Sequence, residues 1–116
     1  MRRIAIGVDE ADLKSAVLHQ LNKGQARATK GEILAQRLGE RNTRGIRLAI
    51  EELIRDGFPI CSSPHKPYGY FLAETPQDIT EALRVLRSYG KMIFLHYRDL
   101  KRAGHKAFAG QLSLKI

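Results

Sequence analysis

Between Asn42 and Glu74 the apolar residues change their period once, at Gly57, and that change limits the possible folds more than any other feature. In TRGIRLAIEELIRD, residues 43–56, Ile46, Ala49, Ile50, Leu53 and Ile54 recur at intervals of three and four, which gathers them on one side of an α-helix. Beyond Gly57 the chain reads as a strand from Phe58 to Ser62, a turn through SPHKP, and a returning strand from Tyr68 to Ala73. Gly57 suits a helix end because glycine enters the left-handed conformation without a Cβ clash. A helix joined so closely to a hairpin holds the two in a fixed relation.

The preceding residues supply two more helices. Glu10 to Lys23 places Leu13, Ala16, Val17, Leu18 and Leu21 on one side, with Asp9 as N-cap and Gly24 as stop. A brief strand is expected at Ala28 and Thr29. Thr29 then reads as the N-cap of KGEILAQRL, with Glu32 completing a capping box and Gly39 ending the helix. Its buried residues are expected to be Ile33, Leu34 and Leu38. Asn42 caps the third helix, after a turn through ERN.

The order helix, short strand, helix, helix, strand, loop, strand is that of a winged helix–turn–helix. The expected fold is therefore α+β and mostly α: a three-helix core plus a β-hairpin wing, with a long C-terminal helix. Residues 1–8 form an arm or short strand, 9–74 the winged domain, 75–104 the long helix and 105–116 a tail, whose QLSLKI reads as a strand or a free end.

Charge narrows the partners. Lys and Arg total 20 against 12 Asp and Glu in 116 residues, a net +8, which favours a polyanion. Cys61 is the single cysteine, so no disulfide can form within the chain, and a reducing, cytoplasmic location is expected. No stretch is apolar for long enough to span a bilayer. MRRIAIGVDE has too short an apolar run, closed by Asp9 and Glu10, for a secretory leader to be expected.

LGERNTRGIRLAIEELIRDGFPICSSPHKPYGYFLA resembles the DNA-binding domain of the biotin repressor and related winged helices, which share a leucine-glycine turn, a polar helix start, an AI..L...G helix and a GY.L strand. PYGYFLA is also similar to wings of short phage and prophage proteins. The resemblance covers about Leu13 to Glu74 and implies double-stranded DNA binding, in transcriptional regulation or in a phage or mobile-element accessory role. The turn is one residue longer here than in the repressor pattern. Nothing after Glu74 resembles the biotin ligase domain, so no activity carries over.

On the third helix, Arg44, Leu48, Glu51 and Arg55 lie opposite the apolar face, flanked by Arg47. Arg44 and Arg47 occupy the first turns, which approach bases in a reading helix, and the arginine fork matches guanine O6 and N7. Leu48 is placed to meet a thymine methyl, and Glu51 either accepts from a cytosine N4 or, the reading preferred here, pairs with Arg47 one turn back. Asn42 and Thr43 are candidate phosphate contacts, as are Thr29, Lys30 and Arg37 around the second helix. At the wing tip His65 and Lys66 stand between Pro64 and Pro67, with Lys66 the natural phosphate contact; Ser62 and Ser63 either join it or start the turn.

From Pro76, after a Thr75 cap, Ile79, Leu83, Leu86, Gly90, Ile93, Tyr97 and Leu100 repeat with spacing 4-3-4-3-4-3, a heptad seam. Such a stripe must be covered, by the winged domain or by a second copy, and a homodimer is the expectation. Val85, Tyr89, Met92 and His96 add a neighbouring stripe, and Gly90 is a possible break. Arg84, Arg87, Lys91, Arg98 and Arg102 fall near one line.

Nothing suggests an enzyme, a cofactor or a metal site. Cys61 reads as a packed small hydrophobe, and Cys61 with His65 lacks a second ligand pair. The rival reading is a protein–protein adaptor that uses Leu48 and the last helix instead of sequence-specific DNA contacts.

Overall fold

The computed structural model describes residues 10–109. The arm over 1–8, the Asp9 cap and QLSLKI lie outside them. The chain is α+β and mostly helical: α1 Glu10–Gln20, α2 Gly31–Arg37, α3 Arg44–Arg55, strands β1 Ile60–Ser63 and β2 Gly69–Leu72, and α4 Pro76–Ala107. It divides into two compact units after Ala82, within α4.

In the first unit α1, α2, α3 and β1 close around one core. Val17, Leu34 and Ile46 are wholly buried, with Leu21, Ala35, Ala49, Ile50, Leu53 and Ile60 beside them. Burying a side chain of this size stabilises the fold by about 1.5–3 kcal/mol. The expected apolar faces hold with two exceptions. Ile33 and Ile54 are exposed: Ile33 faces the open groove beside the hairpin, and Ile54 sits at the edge of the buried face of α3. Lys14 braces α1 to α3, with its Nζ 2.6 Å from Asp56 and 3.5 Å from Glu52.

Helix α1 ends at Gln20, short of the expected Lys23, because the next residues turn to pair with β2. The Leu72 N–H donates to the Asn22 carbonyl (2.8 Å), and the Gly24 N–H donates to the Leu72 carbonyl (2.9 Å). A short 3₁₀ turn, Gln25–Arg27, then leads to Thr29. Thr29 exchanges both backbone hydrogen bonds with Tyr70, at 2.9 and 2.8 Å, so the expected brief strand is a single bridge. That pairing overturns the expected capping box: Lys30, not Thr29, precedes α2, and no side chain caps it.

Helix α2 closes on Gly39 at φ 71, where the Glu40 N–H donates to the Ala35 carbonyl (2.8 Å). Thr43, not the expected Asn42, precedes α3 and caps it with no side-chain hydrogen bond; Asn42, one residue further out, accepts on Oδ1 from the Arg44 N–H at 2.9 Å. Gly57, at φ 108, ends α3 as expected. Phe58 stays outside the sheet and is exposed, so β1 begins two residues later than the sequence suggests.

The hairpin pairs Ile60 with Leu72 and Ser63 with Gly69, antiparallel. Alternation sends Ile60, Tyr70 and Leu72 to the three-helix core and Cys61, Ser63 and Phe71 to the opposite face. Gln25 and the first turns of α4 meet that second face: Cys61 Sγ lies 3.8 Å from the Asp78 carbonyl, and Gln25 reaches Ser63. Cys61 is thus a buried small side chain, as read from the sequence, and burial first, then the Asp78 charge, push its thiol pKa up.

Thr75 and Asp78 cap α4 reciprocally. The Asp78 N–H donates to Thr75 Oγ1 (3.3 Å), and Asp78 Oδ2 accepts from the Glu74 (2.8 Å) and Thr75 (3.3 Å) N–H groups. The helix runs through Gly90 without a break and past Gly104 to Ala107. No helix among the described residues is long and apolar enough to cross a membrane.

Candidate functional site

Helix α3 turns its sealed side inward and leaves Arg44, Arg47, Leu48, Glu51 and Arg55 exposed. The guanidinium groups of Arg44 and Arg47 make no ion pair among the described residues. The expected Glu51 partner for Arg47 is therefore a correction; the Arg47 charge acts instead on Tyr70, in β2. Burial is the main cause raising the Tyr70 pKa; Arg47 pulls it the other way, and Glu32 and Glu51 add to the rise. The Tyr70 ring lies against the start of α2, 3.4 Å from where a Gly31 Cβ would stand.

A second basic surface lies between α2 and the hairpin. Ala28, Thr29, Lys30, Ile33, Arg37, Lys66, Pro67 and Tyr68 line an open groove of about 820 Å³. Four of the residues singled out in the sequence, Thr29, Lys30, Arg37 and Lys66, meet here, although they come from separate parts of the chain. The groove is amphipathic: Lys30, Arg37 and Lys66 line it together with Ile33, Pro67 and the exposed Tyr68. Such a lining suits a phosphate-sugar chain, which offers charge and apolar sugar faces together.

The structure gives other candidates local work. Thr29 spends its backbone on the bridge to Tyr70. Arg37 Nη1 donates to Gln20 Oε1 at 3.3 Å, so this arginine also ties α2 to α1. Asn42 is exposed but its Oδ1 is engaged by the Arg44 N–H, and Thr43 is half-buried. Leu48 is 48% exposed and borders a small cleft of about 80 Å³ with Leu13, Lys14, Gly45, Ala49 and Glu52, on the α1 side of α3 and away from the hairpin groove. His65 is exposed at the tip and does not line the groove that contains Lys66.

One residue that shapes the tip, Gln25, is absent from the sequence reading, and Ser63 serves there as a turn former. Gln25 Nε2 donates to Ser63 Oγ (2.6 Å) and to the carbonyls of His65 (3.2 Å) and Lys66 (3.3 Å). Ser63 Oγ donates in turn to the His65 carbonyl at 2.5 Å and accepts from the His65 N–H at 3.3 Å. Ser63 is buried and so employed inside the loop, unavailable to a phosphate; Ser62 is exposed. Only the pairing of residues 22–29 with β2 brings Gln25 to the tip, and no local signal in QARATK announces it.

Along α4, Leu83, Leu86, Ile93 and Leu100 are each at least 60% exposed, and Tyr97 is 37% exposed. Ile79, expected on the same seam, is half-buried in the first unit. Phe94 and Leu95, outside both expected stripes, are also exposed, so the apolar surface around residues 92–97 is broader than a narrow seam. Phe94 and Tyr97 stack at 6.2 Å, and Lys101 Nζ lies 6.0 Å from the Tyr97 ring centre.

Among the described residues no group of three or more His, Cys, Asp or Glu side chains is arranged to hold a metal ion. No protein-family model, curated protein or solved structure matches the chain.

Proposed function

We propose that this is a winged helix–turn–helix protein that binds double-stranded DNA as a homodimer, in transcriptional regulation or as an accessory factor of a phage or mobile element. One observation carries the reading. A single unit exposes Arg44 and Arg47 on α3, which make no ion pair among the described residues, and a groove bearing Lys30, Arg37 and Lys66 beside its hairpin. In this reading α3 enters the major groove, where Arg44 and Arg47 meet base edges, while Lys30, Arg37 and Lys66 hold the neighbouring phosphates. The net charge of +8 draws the duplex in, and the exposed seam of α4 joins two subunits on an approximately palindromic site.

The test is an Arg44→Ala/Arg47→Ala double variant on DNA fragments captured and footprinted with the wild-type protein. Loss of sequence preference with unchanged helicity is expected; unchanged affinity for the protected site rules out α3 as the reading helix. The adaptor reading draws on exposed Leu48, Ile54 and Phe58 on the same unit. It predicts no duplex binding at low salt.

A further inference from the structure

We infer that α4 pairs with α4 of a second copy in antiparallel orientation, in the register that sets Gly90 against the partner's Ile93. This deepens the dimer reading above and rests on it, but it does not depend on DNA binding.

The exposed seam Leu83, Leu86, Gly90, Ile93, Tyr97, Leu100 has spacing 3-4-3-4-3, which reads the same in both directions. Either orientation can therefore mesh it with itself, and other features decide. The first is Gly90. Side by side, parallel copies place Gly90 against the partner's Gly90, which leaves a hollow layer in the middle of the seam. Among the described residues, nothing beyond its chain neighbours and the backbone of its own helix lies within 4 Å of where a Gly90 Cβ would stand, so the space is real. In the antiparallel register each Gly90 faces the partner's Ile93, and the branched side chain fills the gap. Leu86 then meets the partner's Tyr97, and Leu83 the partner's Leu100.

The second feature is charge. The first turns of α4 carry Asp78 and Glu81, and its last turns carry Arg98, Lys101, Arg102 and Lys106 against Asp99 alone. Parallel pairing sets two cationic ends side by side. Antiparallel pairing sets each cationic end beside the acidic start of the other helix and opposes the two helix dipoles. It also brings Arg87 towards the exposed ring of the partner's Phe94, a cation–π arrangement like that of Lys101 on Tyr97.

The test uses full-length chains, one carrying Leu83→Cys and one Leu100→Cys, distinguished by a mass tag, mixed and mildly oxidised. Wild-type chains, whose one thiol at Cys61 is buried, are the control. Sedimentation of the wild type is expected to give a dimer, and the covalent product to be the mixed L83C–L100C species in at least tenfold excess. Leu86→Cys with Tyr97→Cys should link equally well. Predominantly like-with-like products overturn the antiparallel pairing while leaving the dimer in place. Linkage of Ile79→Cys to Tyr97→Cys in place of these pairs overturns the register. A monomer at all concentrations overturns both the pairing and the dimer, and duplex binding by the same sample then judges the DNA reading separately.

Discussion

Gly69 shows how one residue holds the hairpin and the helices together. Its φ of 130 is open to glycine, and a Cβ there would overlap the Thr29 carbonyl group, the partner in the bridge to Tyr70. Gly69→Ala is expected to cost about 2–4 kcal/mol, read from urea unfolding. Gln25 acts differently, because it fastens the hairpin tip without entering the core. Gln25→Ala should leave global stability within about 1–2 kcal/mol of wild type. Backbone amide exchange at His65 and Lys66 should nevertheless accelerate, and duplex affinity should fall. Cys61 sets the alkaline limit. Its raised pKa means that the unfolded chain loses the thiol proton first, so stability is full below the ordinary value of 9.0 and declines as pH rises beyond it. Lys14, raised chiefly by its hydrogen bond to Asp56, has the same sign: its contribution is present below 10.5 and lost at higher pH. The urea midpoint should therefore hold up to about pH 9 and drop above it, and Cys61→Ala should delay the onset of that drop.

At the scale of elements, α2 is the piece most dependent on its surroundings. Gly31–Arg37 is too short to persist alone and has no side-chain cap, so the burial of Leu34 and Ala35 must hold it. Leu34→Ala should destabilise the protein by about 2–5 kcal/mol in urea unfolding, since a wholly buried side chain leaves a cavity among α1, α3 and β1. Helix α3 is better supported, by the Asn42 Oδ1 that accepts from the Arg44 N–H, the α1 brace and four buried apolar residues. Its outer arginines can accordingly be changed without unfolding it, and for that reason the Arg44 and Arg47 substitutions report on binding rather than on stability.

At the scale of the whole molecule, the excess of positive charge makes a quantitative demand. With Lys30, Arg37 and Lys66 on phosphates, counterion release predicts that log K falls with log salt at a slope of about −3 for each subunit, near −5 for a dimer on two half-sites. Lys66→Ala should flatten this slope by about one per subunit without altering sequence preference, measured by fluorescence anisotropy across a salt series. A slope near zero leaves no role for the groove on DNA.

Periodicity alone determined the helices, the hairpin, their order and the inward face of α3, because apolar side chains spaced for one helical side have one low-energy way to leave water. It likewise placed the arginines of α3 outside and marked the seam of α4. Tertiary structure decided what depends on partners distant in the chain. Thr29 pairs with Tyr70 rather than capping α2, because two backbone hydrogen bonds within a sheet satisfy groups that a cap would leave to solvent. Gln25 reaches the hairpin tip, and Lys66 joins Lys30 and Arg37 across one groove, only once residues 22–29 lie against β2. Contacts between residues forty positions apart are fixed by packing of the whole unit, and no local pattern of side chains encodes them.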